Sequence, residues 1–211
     1  MLEIGGDNMS KGIKIKTVKD KIPDMIKTFE SLNGKKVQVG VFDGENAWLA
    51  RIHEYGCDIR AKKAQYLTIP ISPKSIGKKA GEFDNLFFVQ AKSGEKFLAR
   101  DGRKGEIELL YWLTKSVKIP ERSFLRAGFD ENVGKLNKTI DRMINSLLNG
   151  NISEDEFCNI IGQTLSSKIK TFARNLNSPA NSRVTKENKG SSNPLIDTGQ
   201  MIRGITWKVD D

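Results

Sequence analysis

Residues 123–177, SFLRAGFDENVGKLNKTIDRMINSLLNGNISEDEFCNIIGQTLSSKIKTFARNLN, decide how this chain folds. Across 123–149 the apolar residues Leu125, Phe129, Val133, Leu136, Ile140, Met143 or Ile144, and Leu147 recur at alternating steps of about four and three, one continuous stripe on a helix. Gly150 supplies a left-handed stop. Ser153 and Glu156 have the spacing of a capping box, and Ile152 and Phe157 are placed as its hydrophobic staple. The next helix carries Phe157, Ile161, Leu165, Ile169, Phe172 and Leu176 on one face. Two amphipathic helices with so tight a connection predict an antiparallel helical hairpin over 123–177.

Upstream, Ile22, Met25, Ile26, Phe29 and Leu32 fall at helical steps within 18–34, a segment that stops at Asn33-Gly34. The run 36–41 alternates Val37, Val39 and Val41 with polar or small residues, which predicts a half-buried strand. A short helix closed by Gly56 follows. From Cys57 to Pro120 the texture changes to short strand-like runs, YLTIPIS, NLFFVQAK, EKFLAR and IELLYWLTKSVKIP, and the runs 86–92 and 96–100 flank a turn short enough for a hairpin. Downstream, 177–193 has no apolar periodicity and reads as a mobile loop, before a turn of helix, GQMIRG, and a strand, ITWKV. The domain reading is an extension (1–17), a core (18–59 with 119–211) and a β-rich insertion (60–118).

Composition bounds the function. The 211 residues carry a net charge of +9, with 37% hydrophobic and 29% charged residues, enough for one core plus a projecting subdomain. No apolar run is long enough to cross a bilayer, and no membrane partner is implied. Cys57 and Cys158 lie far apart in sequence and His53 is the sole histidine, so no Cys/His metal site is expected. The positive charge implies attraction to polyanions or to an acidic protein face.

Catalytic signals are weak. His53 and Glu54 are adjacent, and neighbours on a helix point about 100° apart, which does not make a dyad. Asp197-Thr198-Gly199 matches the triplet of aspartic proteases, but only one copy is present where two must face each other, so a local helix cap by Asp197 or Thr198 is the expected role. No phosphate-binding loop is present, and no cofactor is expected. Arg60, Lys62, Lys63, Lys74, Lys78 and Lys79 run without an acidic residue among them. Such a cluster is either a solvated face or a sequence-blind contact with polyanions or a neighbour. A second basic stretch runs from Lys168 to Lys189. Phe83, Phe87 and Phe88 read as core rather than as base-stacking platforms.

Three pieces taken together, VQVGVF with ARIHEYG, then VKIPERSFLRAGF, then RVTKENKGSSNPLIDTGQMIRGITWKV, resemble in order and spacing the phage virion morphogenesis and tail-completion proteins, a family related to those of phage Mu and similar contractile-tailed particles. The resemblance rests on His53, Glu54, Tyr55 and Gly56, on Ile119, Pro120, Arg122 and Phe124, and on Pro194, Leu195, Asp197, Thr198 and Gly199. It departs at Glu121 and Ser123, where the family has a small residue and a proline. It implies a structural, non-enzymatic virion subunit, a tail terminator or head–tail connector, assembled in the host bacterial cytoplasm. Its partners would be further copies of itself in a ring, a hexamer, together with tail tube, sheath or connector proteins and non-specific contact with packaged DNA. A sequence-independent nucleic-acid-binding protein is the alternative. The expected fold is α+β: a small mixed or antiparallel sheet with a β-rich insertion, built from the 35–42 strand, the 204–209 strand and that insertion and packed against the long helical hairpin.

Overall fold

The computed structural model describes residues 20–102, 105–189 and 191–211, without the side chains of 183, 184 and 188. The extension 1–17 and the expected helix start at Val18 lie outside the described residues. The elements in order are α1 (Ile22–Gly34), β1 (Lys36–Gly40), α2 (Gly44–Tyr55), β2 (Cys57–Arg60), β3 (Leu67–Pro70), β4 (Phe87–Gln90), β5 (Lys96–Asp101), β6 (Ile107–Thr114), β7 (Ser116–Ile119), α3 (Arg126–Leu148), α4 (Glu154–Asn175), α5 (Arg183–Lys189), α6 (Gln200–Arg203) and β8 (Thr206–Asp210). The protein is α+β, with antiparallel sheets and a long helical hairpin, α3 with α4.

The hairpin forms, with Leu136 and Leu147 of the first stripe buried, but Phe129 is 41% exposed, contrary to its expected place on that stripe, and Gly128 and Asn132 are buried instead. Gly150 takes φ +72° at the turn. Ser153 then accepts a hydrogen bond from the Glu156 N–H while the Glu156 carboxylate accepts from the Ser153 N–H, so two orphan donors at the start of α4 are satisfied. Ile152 and Phe157 pack in one cluster with Leu147 and Cys158. A larger cluster joins Leu136, Leu165, Ile169 and Ala173 of the hairpin to Ala50, Phe124, Leu195, Met201, Ile202 and Ile205.

The β1–β8 ribbon closes this body by pairing Val37 with Val209 and Val39 with Trp207, and it lies against α4. Trp207 seats on Gly162, where a Cβ would overlap its side chain, and its indole N–H donates to Asn159 Oδ1 at 2.9 Å. Gln38 and Asp210, 172 residues apart in sequence, are joined by a side-chain hydrogen bond of 2.7 Å on this ribbon.

The expected common sheet of insertion and ribbon does not form. Instead β2 and β7 make a separate two-stranded stalk, and β3-β6-β5-β4 make a four-stranded sheet of their own. The run 107–119 serves both, because it breaks at Lys115: β6 pairs with β3 and β5, and β7 pairs with β2. Ala99, Leu110, Tyr111 and Leu113 give the insertion its own buried centre. The β4–β5 hairpin turns at Gly94, φ +89°. Phe83 and Phe87 are half-buried, Phe83 edge-on to Tyr111, but Phe88 is exposed, contrary to its expected place in the core.

The segment expected to be a mobile loop contains α5. Ser182 starts it, accepting from the Thr185 N–H through its hydroxyl and from the Lys186 N–H through its carbonyl. A polar helix of two turns carries no apolar period, which is why the segment reads as a loop from sequence.

The seat of Trp207 gives a paired expectation. Gly162→Ala forces the indole off the helix and should cost about 1–3 kcal/mol in urea unfolding. Gly134→Ala, on α3 where an added Cβ meets nothing within 4 Å, should instead raise stability by about 0.5–1 kcal/mol.

Candidate functional site

Glu54 is 2% exposed at the end of α2, and its carboxylate lies over the start of α3. Oε2 accepts from the backbone N–H groups of Phe124 (2.8 Å) and Leu125 (2.9 Å). Oε1 accepts from the Arg126 N–H (3.0 Å), the Ser123 hydroxyl (2.8 Å) and Arg126 Nε (2.9 Å). A helix N-terminus presents unpaired N–H groups and partial positive charge, and here a carboxylate from 70 residues upstream satisfies them. Burial pushes the Glu54 carboxyl up, but the hydrogen bonds from Leu125, Arg126 and Ser123 outweigh it and hold the group below the usual carboxylate range.

The residues around Glu54 lock the same joint. Gly56 takes φ +68°, and a Cβ there would stand 2.8 Å from the Ile119 carbonyl and 2.7 Å from the Glu121 N–H nitrogen, so only glycine lets the two segments pass. The Arg126 guanidinium lies 4.7 Å over the exposed Tyr55 ring and donates to Glu121 at 2.7 Å. The two departures from the family pattern therefore have local partners: Ser123 donates to Glu54 and Glu121 accepts from Arg126.

Arg122 is 4% exposed and holds a different segment. Its N–H accompanies the helix end by donating to the His53 carbonyl at 2.7 Å. Its Nε donates to the Pro179 carbonyl, its Nη2 to the Ala180 carbonyl and Asn181 Oδ1, and its Nη1 meets His53 Nδ1 at 3.4 Å. Every one of these partners is neutral. Burial, then the charges of Arg122 and Lys189, push the His53 pKa down to about 4, so the imidazole is neutral at pH 7. His53 and Arg122 thus meet side by side, the imidazole neutral and the guanidinium charged.

The third motif returns the chain to the core. Pro194 and Leu195 are buried. Asn193, which the sequence reading left without a role, donates to the Ala173 and Arg174 carbonyls at the end of α4 and accepts from the Leu195 and Ile196 N–H groups. Thr198, not Asp197, meets the Gln200 N–H at the start of α6, at 3.4 Å, while Gly199 takes φ +76°. Asp197 and Thr198 are exposed.

The motif residues thus form two adjoining assemblies, the Glu54–Gly56 joint with 119–126 and the 193–199 return, both packed on the main cluster through Phe124 and Leu195. The cations of the other candidate set lie apart from them, on β2 and the loops of the insertion, and all six are exposed. Lys74 is paired with Glu108 at 2.8 Å, and Ser75, fully buried, ties that loop to β6 through the Leu110 carbonyl. Among the described residues no group of three His, Cys, Asp or Glu is placed to hold a metal ion, and no helix is long and apolar enough to cross a membrane. Comparisons with protein-family models, curated proteins and solved structures give no match to this chain.

Acid should loosen the joint in two stages. His53 takes up its proton more readily unfolded (near 6.5) than folded (about 4), so stability should fall as pH drops between these values, by up to about 3 kcal/mol. The depressed Glu54 contributes stability above the ordinary carboxyl range that is lost as pH falls through its folded value. Urea titrations should show the first limb flattened in His53→Gln. Glu54→Gln should lose about 3 kcal/mol at pH 7, because an amide cannot accept from all five donors.

Proposed function

We propose that this protein is a structural ring subunit at the neck of a tailed phage or phage-tail-like particle, acting as tail terminator or head–tail connector, and not an enzyme. The observation that carries the reading is a pair of unlike apolar faces at opposite ends of one body. On α1, Met25 and Leu32 turn inward while Ile22, Ile26 and Phe29 are each more than half exposed, so the expected stripe is only half covered. On α2, Trp48 (65% exposed) and Tyr55 are exposed around a hollow that Arg51, Ile52 and Cys57 also line, and Leu49 is exposed beside Trp48 in sequence.

The two faces are far apart. Lys21, just before α1, donates to Asn149 past the C-terminal end of α3, while Glu54 of α2 holds the N-terminal end. The 23 residues of α3 separate these ends by about 34 Å. Contiguous exposed apolar surface marks an interaction site. Two different faces on one subunit suit head-to-tail association, which closes into a ring when the rotation permits. The family resemblance of the three motifs points to the same kind of particle and supplies the expected hexamer.

The second reading is sequence-independent binding of nucleic acid through the exposed Arg60, Lys62, Lys63, Lys78 and Lys79. It predicts DNA affinity that falls steeply with salt, and no self-association.

Native mass spectrometry separates these. Wild type should show closed oligomers at raised concentration, and Phe29→Asp and Trp48→Asp should each be monomeric alone. Mixed together they should give a heterodimer and nothing larger, because each retains the one face that the other lacks. Monomers in the mixture, with wild type monomeric at every concentration, would remove the head-to-tail reading.

A further inference from the structure

A groove of about 800 Å3 lies between the stalk and the segment that Arg122 holds. One wall is the run Ser116–Ile119 with Pro120; facing it are Ala180, Asn181, Ser182 and Thr185; Ile69 and Trp112 of the insertion and Pro194 of the return close it with apolar surface. The motif chemistry above explains its position but not its contents.

The groove is cationic and short of acceptors. Arg122, Lys189 and Lys118 line it, and no lining residue is acidic. The charged group nearest in effect from outside is Asp197, whose field favours charged Lys189 while burial and Arg122 oppose it. Among the described residues Lys189 donates to a carbonyl, that of Pro194, at 3.3 Å. A guanidinium has five N–H donors, and among the described residues Arg122 spends four. Asn181 Nδ2 is buried with no hydrogen-bond partner among the described residues. Buried donors without acceptors are costly and mark places where something else supplies the acceptor.

The strand wall also has a free edge. The Ala61 N–H donates to the Lys115 carbonyl, which sets positions 115, 117 and 119 facing β2 and turns the backbone of 116 and 118 outward. Ser116 satisfies its outward groups on the Thr114 hydroxyl. Among the described residues Lys118 has no strand on that side, since the sheet is β2-β7.

We propose that this groove binds an extended acidic peptide segment of a partner protein, laid along the outer edge of β7 with a carboxylate set against Arg122, Lys189 and Asn181. Strand addition supplies main-chain pairing through Lys118, and the apolar walls take the side chains that alternate with the acidic ones. Oppositely charged donors and acceptors then match at the inner end.

The test is fluorescence anisotropy with a labelled hexapeptide of alternating valine and aspartate, amidated at its end. Binding is expected at a Kd of about 10–100 µM, weakened about tenfold by Lys189→Gln and similarly by Lys118→Pro, which removes the outward donor without touching the β2 ladder. Unchanged urea midpoints certify that both variants fold. A valine–serine peptide should not bind. The proposal is overturned by no binding up to about 1 mM, by equal affinity in wild type and Lys189→Gln, or by hexanoate alone competing as well as the peptide. Tighter Lys189-dependent binding of short single-stranded DNA would also overturn it, in favour of a polyanion site.

Discussion

A buried carboxylate must have its acceptors filled, and the fold is arranged so that Glu54 finds five donors in one place. That requirement fixes the end of α2 over the start of α3. It also fixes the point where the insertion leaves, since Gly56 follows directly and must slip between Ile119 and Glu121. The stalk therefore begins and ends at the same joint. One residue further on, Arg122 carries the constraint to 179–181, and Asn193 passes it to the end of α4. The return strand β8 is then placed to meet β1 with Trp207 against Gly162.

This arrangement separates what must be rigid from what remains available. Phe124, Leu195, Ile202 and Ile205 are buried beneath the joint, while Ile22, Ile26 and Phe29 of α1 and Trp48 and Tyr55 of α2 are left in solvent toward opposite ends of the hairpin. A monomer optimised only for its own stability would cover Trp48 and Ile22 or replace them with polar residues. Their exposure is what favours the proposed head-to-tail ring over an isolated binding protein, and the cationic groove beside the stalk offers such a subunit a third, chemically different contact.

Much of the fold was legible because it is written in short-range periodicity. The hairpin helices, the capping box at Ser153, the alternation of β1 and the β4–β5 turn each depend on residues within a few positions of one another. What escaped depends on distance in the chain. No local pattern says that Glu54 caps a helix starting at Arg126, that the run 107–119 divides at Lys115 between two sheets, or that half of the α1 stripe stays uncovered. Helix α5 escaped for another reason: its sequence carries no apolar period. The motif residues His53 to Gly56 and Pro120 to Phe124 were singled out by resemblance to a family, and their mutual contact gives those positions a physical reason to occur together.

The most direct measurement is imaging, with mass spectrometry, of intact particles purified from the cell that makes this protein. The account predicts a closed ring of this chain at the head-proximal end of a tail, with α1 of each subunit seated against α2 of the next. Complete particles that lack the chain, or that hold it with both apolar faces in solvent, would contradict it.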